Sequence, residues 1–173
     1  RYFLGKQLDS VMNYPWKDAI IEFVQTKNAH ALRYAIEELI DHYPKPALEV
    51  LMNLLDSHDT ERIITKIGFG NTEAVPLHER PTLELTGKEL EDTIQKLKIA
   101  SFIQFTLPGI PSIYYGDEIG MQGFRDPYNR KTFSKKEINE EIFTHYKALT
   151  AFRTEYKEDF KGNFNVVYEN GGC

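Results

Sequence analysis

The sequence predicts an α/β fold built from parallel strand and helix units, on three observations. Residues 48–55 are nearly all apolar without alternation, the pattern of a strand covered on both faces, and residues 110–115 read as a second buried strand. Each run ends abruptly in polar residues, at Asp56 and at Gly116, Asp117 and Glu118. Around them lie segments with helical periodicity, so strand and helix alternate, and parallel strands joined in this way form right-handed βαβ units. Such units build both open doubly wound sheets and closed barrels.

The elements follow in order. Residues 8–14, LDSVMNY, read as a first strand, and residues 18–25 as a short helix with Ala19, Ile20, Phe23 and Val24 inward. Leu32, Ala35, Ile36, Leu39 and Ile40 share one helical face, and that helix ends near Tyr43, where Lys45 between Pro44 and Pro46 stops it. After the strand at 48–55, residues 65–86 show no sustained period and contain Gly68, Gly70, Pro76 and Pro81, so a long loop is expected. Thr86 and Glu89 have capping-box spacing at the start of a helix running to about Thr106. Pro108 and Gly109 turn the chain into the strand at 110–115, and a loop follows to about Thr132. Ser134 with Glu137 forms a second capping box, and Ile138, Ile142, Tyr146 and Leu149 lie on one face of a helix ending near Glu155. Residues 163–169 have strand composition.

Composition narrows the function classes. The chain has 173 residues, 41% hydrophobic and 27% charged, enough for one sizeable core. Its net charge is -5 and its 21 basic residues form no run or patch, which argues against nucleic acid as a partner. The least charged stretch, residues 99–116, is broken by Pro108, Gly109 and Pro111, so a buried helix end and strand are expected and not a membrane span. The single cysteine, Cys173, excludes an intrachain disulfide framework and a cysteine-based zinc site. No GxGxxG or GxxxxGK[ST] turn occurs, and no acidic ligand cluster suggests calcium, so no cofactor or metal is expected. The chain begins at Arg1 without a signal-peptide pattern and reads as an excerpt. Cellular location stays open, with the cytoplasm as the working expectation.

The stretch richest in chemistry is residues 54–62, LLDSHDTER, where an apolar strand runs out into a loop. In parallel α/β domains that rim is where sites form, because the loops there converge. His58 beside Asp59 can offer a donor and an acceptor to vicinal sugar hydroxyls. The structural alternative is a capped loop in which Asp59 accepts backbone amides and His58 is buried and satisfied. Tyr14, Trp16, Tyr114 and Tyr115 lie near strand ends and could stack on sugar faces, but packing is the more frequent use of each.

Four segments in this order, residues 8–15, 53–63, 104–121 (QFTLPGIPSIYYGDEIGM) and 126–130 (DPYNR), resemble the α-amylase superfamily, most closely its neopullulanase and cyclomaltodextrinase branch. The resemblance implies a TIM (β/α)8 barrel, of which this chain is a partial barrel. Residues 1–158 would supply its sixth, seventh and eighth strand and helix units, and residues 159–173 the start of a C-terminal β domain. It further implies that Asp59 is the carboxylate that grips ring hydroxyls and helps distort the sugar toward the transition state, with His58 as its hydroxyl-binding neighbour. Asp126 and Arg130 resemble a pair that contacts the sugar one subsite away. Asp117 and Glu118 correspond to structural residues there.

A retaining glycosidase also needs a nucleophile and an acid/base carboxyl about 5 Å apart. The resemblance places these on the fourth and fifth strands, and no GFRxD-like or ExW-like setting occurs here. The expected protein is therefore a glycoside hydrolase acting on α-glucosidic bonds of an α-glucan or maltooligosaccharide. This chain would be inactive alone and prone to form homo-oligomers through open barrel edges. The alternative is a noncatalytic carbohydrate-binding or structural relative of the same barrel.

Overall fold

A computed structural model describes residues 8–161 and 163–168. Helix α1 (Tyr14–Thr26) starts earlier than its periodicity suggests. The Asn13 side chain accepts from the Trp16 amide at 3.3 Å, and Pro15 has the φ that a first helical turn requires. Trp16, Ala19, Ile20 and Val24 are buried as the inward face, while Phe23 is half-buried against the core. Helix α2 (Ala29–His42) is capped by Asn28 and ends at Tyr43, before Pro44.

The expected strand at 48–55 is mostly something else. Pro44 and Pro46 lead into a single helical turn, α3 (Lys45–Leu48), and only β1 (Met52–Asn53) is paired as strand. Strand β2 (Ile110–Pro111) is likewise shorter than 110–115, because Pro111 lacks an N–H and the chain turns at Tyr114 and Tyr115 toward Gly116. Strands β1 and β2 are parallel, with Met52 opposite Ile110 and Asn53 opposite Pro111. Met12 forms a parallel bridge to Met52 on the other side, so three consecutive strand segments lie side by side in one direction.

Side chains complete this short ladder. Asn13 Nδ2 donates to Asn53 Oδ1 at 3.0 Å, and Gln104 Nε2 donates to the carbonyls of Asn53 at 2.9 Å and Ser112 at 2.8 Å. All three amide side chains are buried, where an unmade hydrogen bond would cost about 1–3 kcal/mol. Gly109, at φ 102°, lets the chain pass close under β1; a Cβ there would sit 2.6 Å from the Leu51 carbonyl oxygen.

The long loop expected from Thr65 contains a helix. Helix α4 (Ile63–Phe69) buries Ile63, Ile64, Thr65 and Ile67, and this packing outweighs the low helix propensity of the β-branched run. It ends at Gly70, at φ 63°. Helix α5 (Gly87–Thr106) ends where predicted, but the Thr86 side chain makes no cap hydrogen bond. Helix α6 (Glu140–Glu155) also ends as predicted, yet it begins behind Asn139, whose side chain accepts from the Ile142 amide at 3.1 Å. Ser134 instead accepts from Lys136 in the preceding loop, and Ile138 stays outside the helix. Residues 163–168 carry no strand, although Phe164 and Val166 pack against the core; Glu169 and Cys173 lie outside the described residues. The core joins α1, α2, α4, α5 and α6 around the three strand segments. Among the described residues no helix is long and apolar enough to cross a membrane.

Candidate active site

Beyond β1 the chain passes Leu54 and Leu55, both buried, and emerges as the loop of residues 56–62. The loop is folded on itself. The Ser57 amide donates to Thr60 Oγ1 at 3.0 Å and the Asp59 amide to Ser57 Oγ at 3.2 Å. Asp56, at its root, is buried and accepts the Ile63 amide at 2.7 Å, supplying the α4 cap that Arg62 does not. This geometry points His58 and Asp59 outward, with side chains 56% and 61% exposed, so the buried, capped-loop alternative fails for the pair. His58 Nε2 lies 3.2 Å from Asp59 Oδ1.

A second loop, beyond the C-terminal end of β2, reaches the same place. Arg130 Nη2 stands 4.0 Å from Asp59 Oδ1, and Arg130 Nε holds Asp126 Oδ1 at 3.0 Å. All four residues predicted from the sequence, His58, Asp59, Asp126 and Arg130, therefore come together on the rim where the parallel strands end. Their ion pairs are exposed, and such pairs contribute only about 0–1 kcal/mol each to folding. Their clustering is thus poorly explained by stability and suits a polar ligand with hydroxyl groups.

Under this rim lies a buried charge cluster that the sequence reading missed. Arg62 is fully buried; its Nη1 is 3.3 Å from Asp117 Oδ1 and also donates to the Tyr115 carbonyl. The rings of Tyr114 and Tyr115 flank its guanidinium, with centroids at 4.3 and 4.5 Å. Burial pushes the Asp56 carboxyl up to about 6. Burial first, and then the nearby Asp56, holds Asp117 well above the usual carboxylate range. The Arg62 guanidinium pulls both carboxyls back down, without cancelling the effect of burial on either. Arg62 lies within the same LLDSHDTER stretch, but nothing in its spacing distinguishes a buried arginine from a solvated one.

The remaining candidates separate by burial. Trp16 is core, its Nε1 donating to the Ala35 carbonyl at 3.1 Å. Tyr14 is half-buried with its hydroxyl 3.4 Å from Ser57 Oγ, close under the loop. Glu118 accepts the Gly116 amide at 2.6 Å, a turn-holding contact. Among the described residues no three His, Cys, Asp or Glu side chains are grouped to hold a metal ion.

A family model described as the α-amylase catalytic domain matches residues 1–161. The chain belongs to the α-amylase family. This α-amylase-family chain is 37% identical to neopullulanase 2 of Thermoactinomyces vulgaris, over 94% of its own length and 24% of that protein. It is 34% identical to a cyclomaltodextrinase of Thermoanaerobacter pseudethanolicus, over 96% of its length and 26% of that protein. Its structure matches the cyclic α-maltosyl-(1→6)-maltose hydrolase of Arthrobacter globiformis with a TM-score of 0.77 and 25% identity, covering 98% of this chain and 34% of that one. The family's α/β barrel is therefore the fold to which these units belong. The chain thus spans about a quarter of each of the two curated relatives and about a third of the solved structure.

Proposed function

We propose that this chain supplies the sixth, seventh and eighth strand and helix units of an α-amylase-family barrel, in an enzyme that hydrolyses α-glucosidic bonds of starch-like oligo- or polysaccharides with retention of configuration. The observation that carries this reading is the convergence of Asp59, from the loop after β1, with Asp126 and Arg130, from the loop after β2, on one rim of parallel strands. The relatives named as cyclomaltodextrinase, neopullulanase and maltosyl-maltose hydrolase support α-glucans as the substrate class.

In this reading the Asp59 carboxylate accepts hydrogen bonds from ring hydroxyls and holds the distorted, oxocarbenium-like sugar more tightly than the ground state. His58 donates or accepts beside it. Arg130, with Asp126 fixing its guanidinium, addresses the neighbouring sugar. The nucleophile and the acid/base carboxyl come from units preceding these. In the intact enzyme, Asp59→Asn lowers kcat on maltooligosaccharides on the order of a hundred- to a thousandfold, the usual loss for one group aimed at transition-state charge. Unchanged release of reducing sugar by that variant would refute the assignment.

The isolated 173-residue chain is proposed to be inactive and to self-associate. Among the described residues the strand segments at Met12 and β2 have no further strand beside them, and Ile113, Tyr115 and Phe143 line an exposed apolar groove beside β2. A strictly monomeric chain by light scattering would contradict this.

A further inference from the structure

Asn129 stands between Asp126 and Arg130 in a short 3-10 turn (Tyr128–Arg130), and it is fully buried. Its Nδ2 lies 2.9 Å from the carbonyl oxygen of His58 and 2.7 Å from that of Thr60. Both partners are acceptors, so only the amide –NH2 end can face them and the orientation of the side chain is settled by chemistry. The two carbonyls bracket Asp59, one residue before it and one after. Ser57 Oγ and Thr60 Oγ1 accept amides of the loop itself, and the bonds from Tyr14 to Ser57, from Thr72 to Glu61 and from Arg62 to Tyr115 and Asp117 hold the loop at its two ends and not on either side of Asp59.

The turn carrying Asn129 is itself held in place. Gly123 packs so closely that a Cβ would overlap the Tyr128 carbonyl, and its amide donates to Thr65 Oγ1 at 2.8 Å. The Gly123 carbonyl accepts the Arg62 amide at 2.9 Å, so the loops after β1 and β2 are joined on both sides of the site. A reference point that is buried and doubly bonded sets the backbone of a flanked residue more tightly than exposed ion pairs can.

We propose that Asn129 is a positioning residue for Asp59. By clamping the peptide carbonyls on either side, it fixes where the Asp59 carboxylate stands relative to Arg130, which belongs to its own turn, and Asp126, just before it. The inference rests on the hydrolase reading above and adds a residue that never touches the sugar.

The test is a double-mutant cycle in the intact enzyme, with an aryl α-maltoside whose good leaving group keeps residual rates measurable. Asn129→Asp keeps the shape but turns an acceptor toward both carbonyls; Asn129→Ser keeps one shorter donor. With Asp59 present, Asn129→Asp is expected to lower kcat on the order of a hundredfold, the scale of a misplacement of about 1 Å, and Asn129→Ser to lower it less. In the Asp59→Asn background both are expected to have little further effect, because the group they position is already gone. Equal fold losses in the two backgrounds, an unchanged kcat, or loss of folding in both variants by circular dichroism would overturn the proposal and leave Asn129 as scaffold. If Asp59→Asn alone leaves kcat intact, the hydrolase assignment of Asp59 is what has failed, and this inference falls with it.

Discussion

Arg130 holds Asp126 at 3.0 Å and at the same time stands 4.0 Å from Asp59, so one guanidinium links the ends of two loops that are far apart in the sequence. Its side chain is 47% exposed, which makes its contribution to folding small and its contribution to a ligand the testable part. Arg130→Ala is expected to change the thermal midpoint by no more than a surface substitution does, within about 0.5 kcal/mol, while raising KM for maltooligosaccharides. A loss of stability without a change in KM would assign the pair to the scaffold instead.

Arg62 behaves oppositely. It is the buried cation paired with Asp117, and removing it leaves that buried carboxyl without its guanidinium partner. Arg62→Leu is expected to cost about 3–5 kcal/mol of stability, the cost of breaking a buried pair. Denaturant unfolding measures this, and a loss within the range of a surface change would contradict the cluster as described.

The same cluster fixes a pH dependence. Asp56 is raised from 3.8 in the unfolded chain to about 6 in the fold, chiefly by burial, so between those values the folded protein holds more protons than the unfolded one. Stability from this group is then fully present below about pH 4 and falls as pH rises through about 6, by about 3 kcal/mol for a shift of about two units. Asp117 acts in the same direction. Asp56→Asn keeps an acceptor for the Ile63 amide and does not titrate, so its stability relative to the parent should improve from pH 4 to pH 7. Parallel stability curves for the two proteins would exclude this.

Gly109 offers a backbone test. At φ 102°, with the Leu51 carbonyl where a Cβ would go, Gly109→Ala is expected to destabilise by more than about 1 kcal/mol and to weaken the pairing of β1 with β2. Thermal unfolding reads the first effect and amide hydrogen exchange at Ile110 the second. A variant as stable as the parent would show that the close approach is not required.

What could be read from the sequence was what local chemistry decides. Helix α2 stops at Pro44 because proline cannot continue it, and the apolar runs turning polar at Asp56 and Gly116 located the rim where the site lies. Helix α4 was hidden because Ile63, Ile64, Thr65 and Gly68 are poor helix formers, and only their burial against α1 and α5 makes the helix. The two capping boxes failed because the spacing of Thr86 with Glu89, and of Ser134 with Glu137, permits a cap without requiring one; Asn139 took the second position. Asn129 was invisible for a different reason. Its partners, the carbonyls of His58 and Thr60, lie some 70 positions away, and a contact to backbone leaves no mark on the partner's identity.

The most direct measurement is the crystal structure of the intact enzyme carrying Asp59→Asn with a maltooligosaccharide bound. One sugar ring is expected with its hydroxyls against His58 and residue 59, and the next ring against Arg130 and Asp126. A sugar bound at the other end of the strands, with these four side chains still facing water, would contradict this.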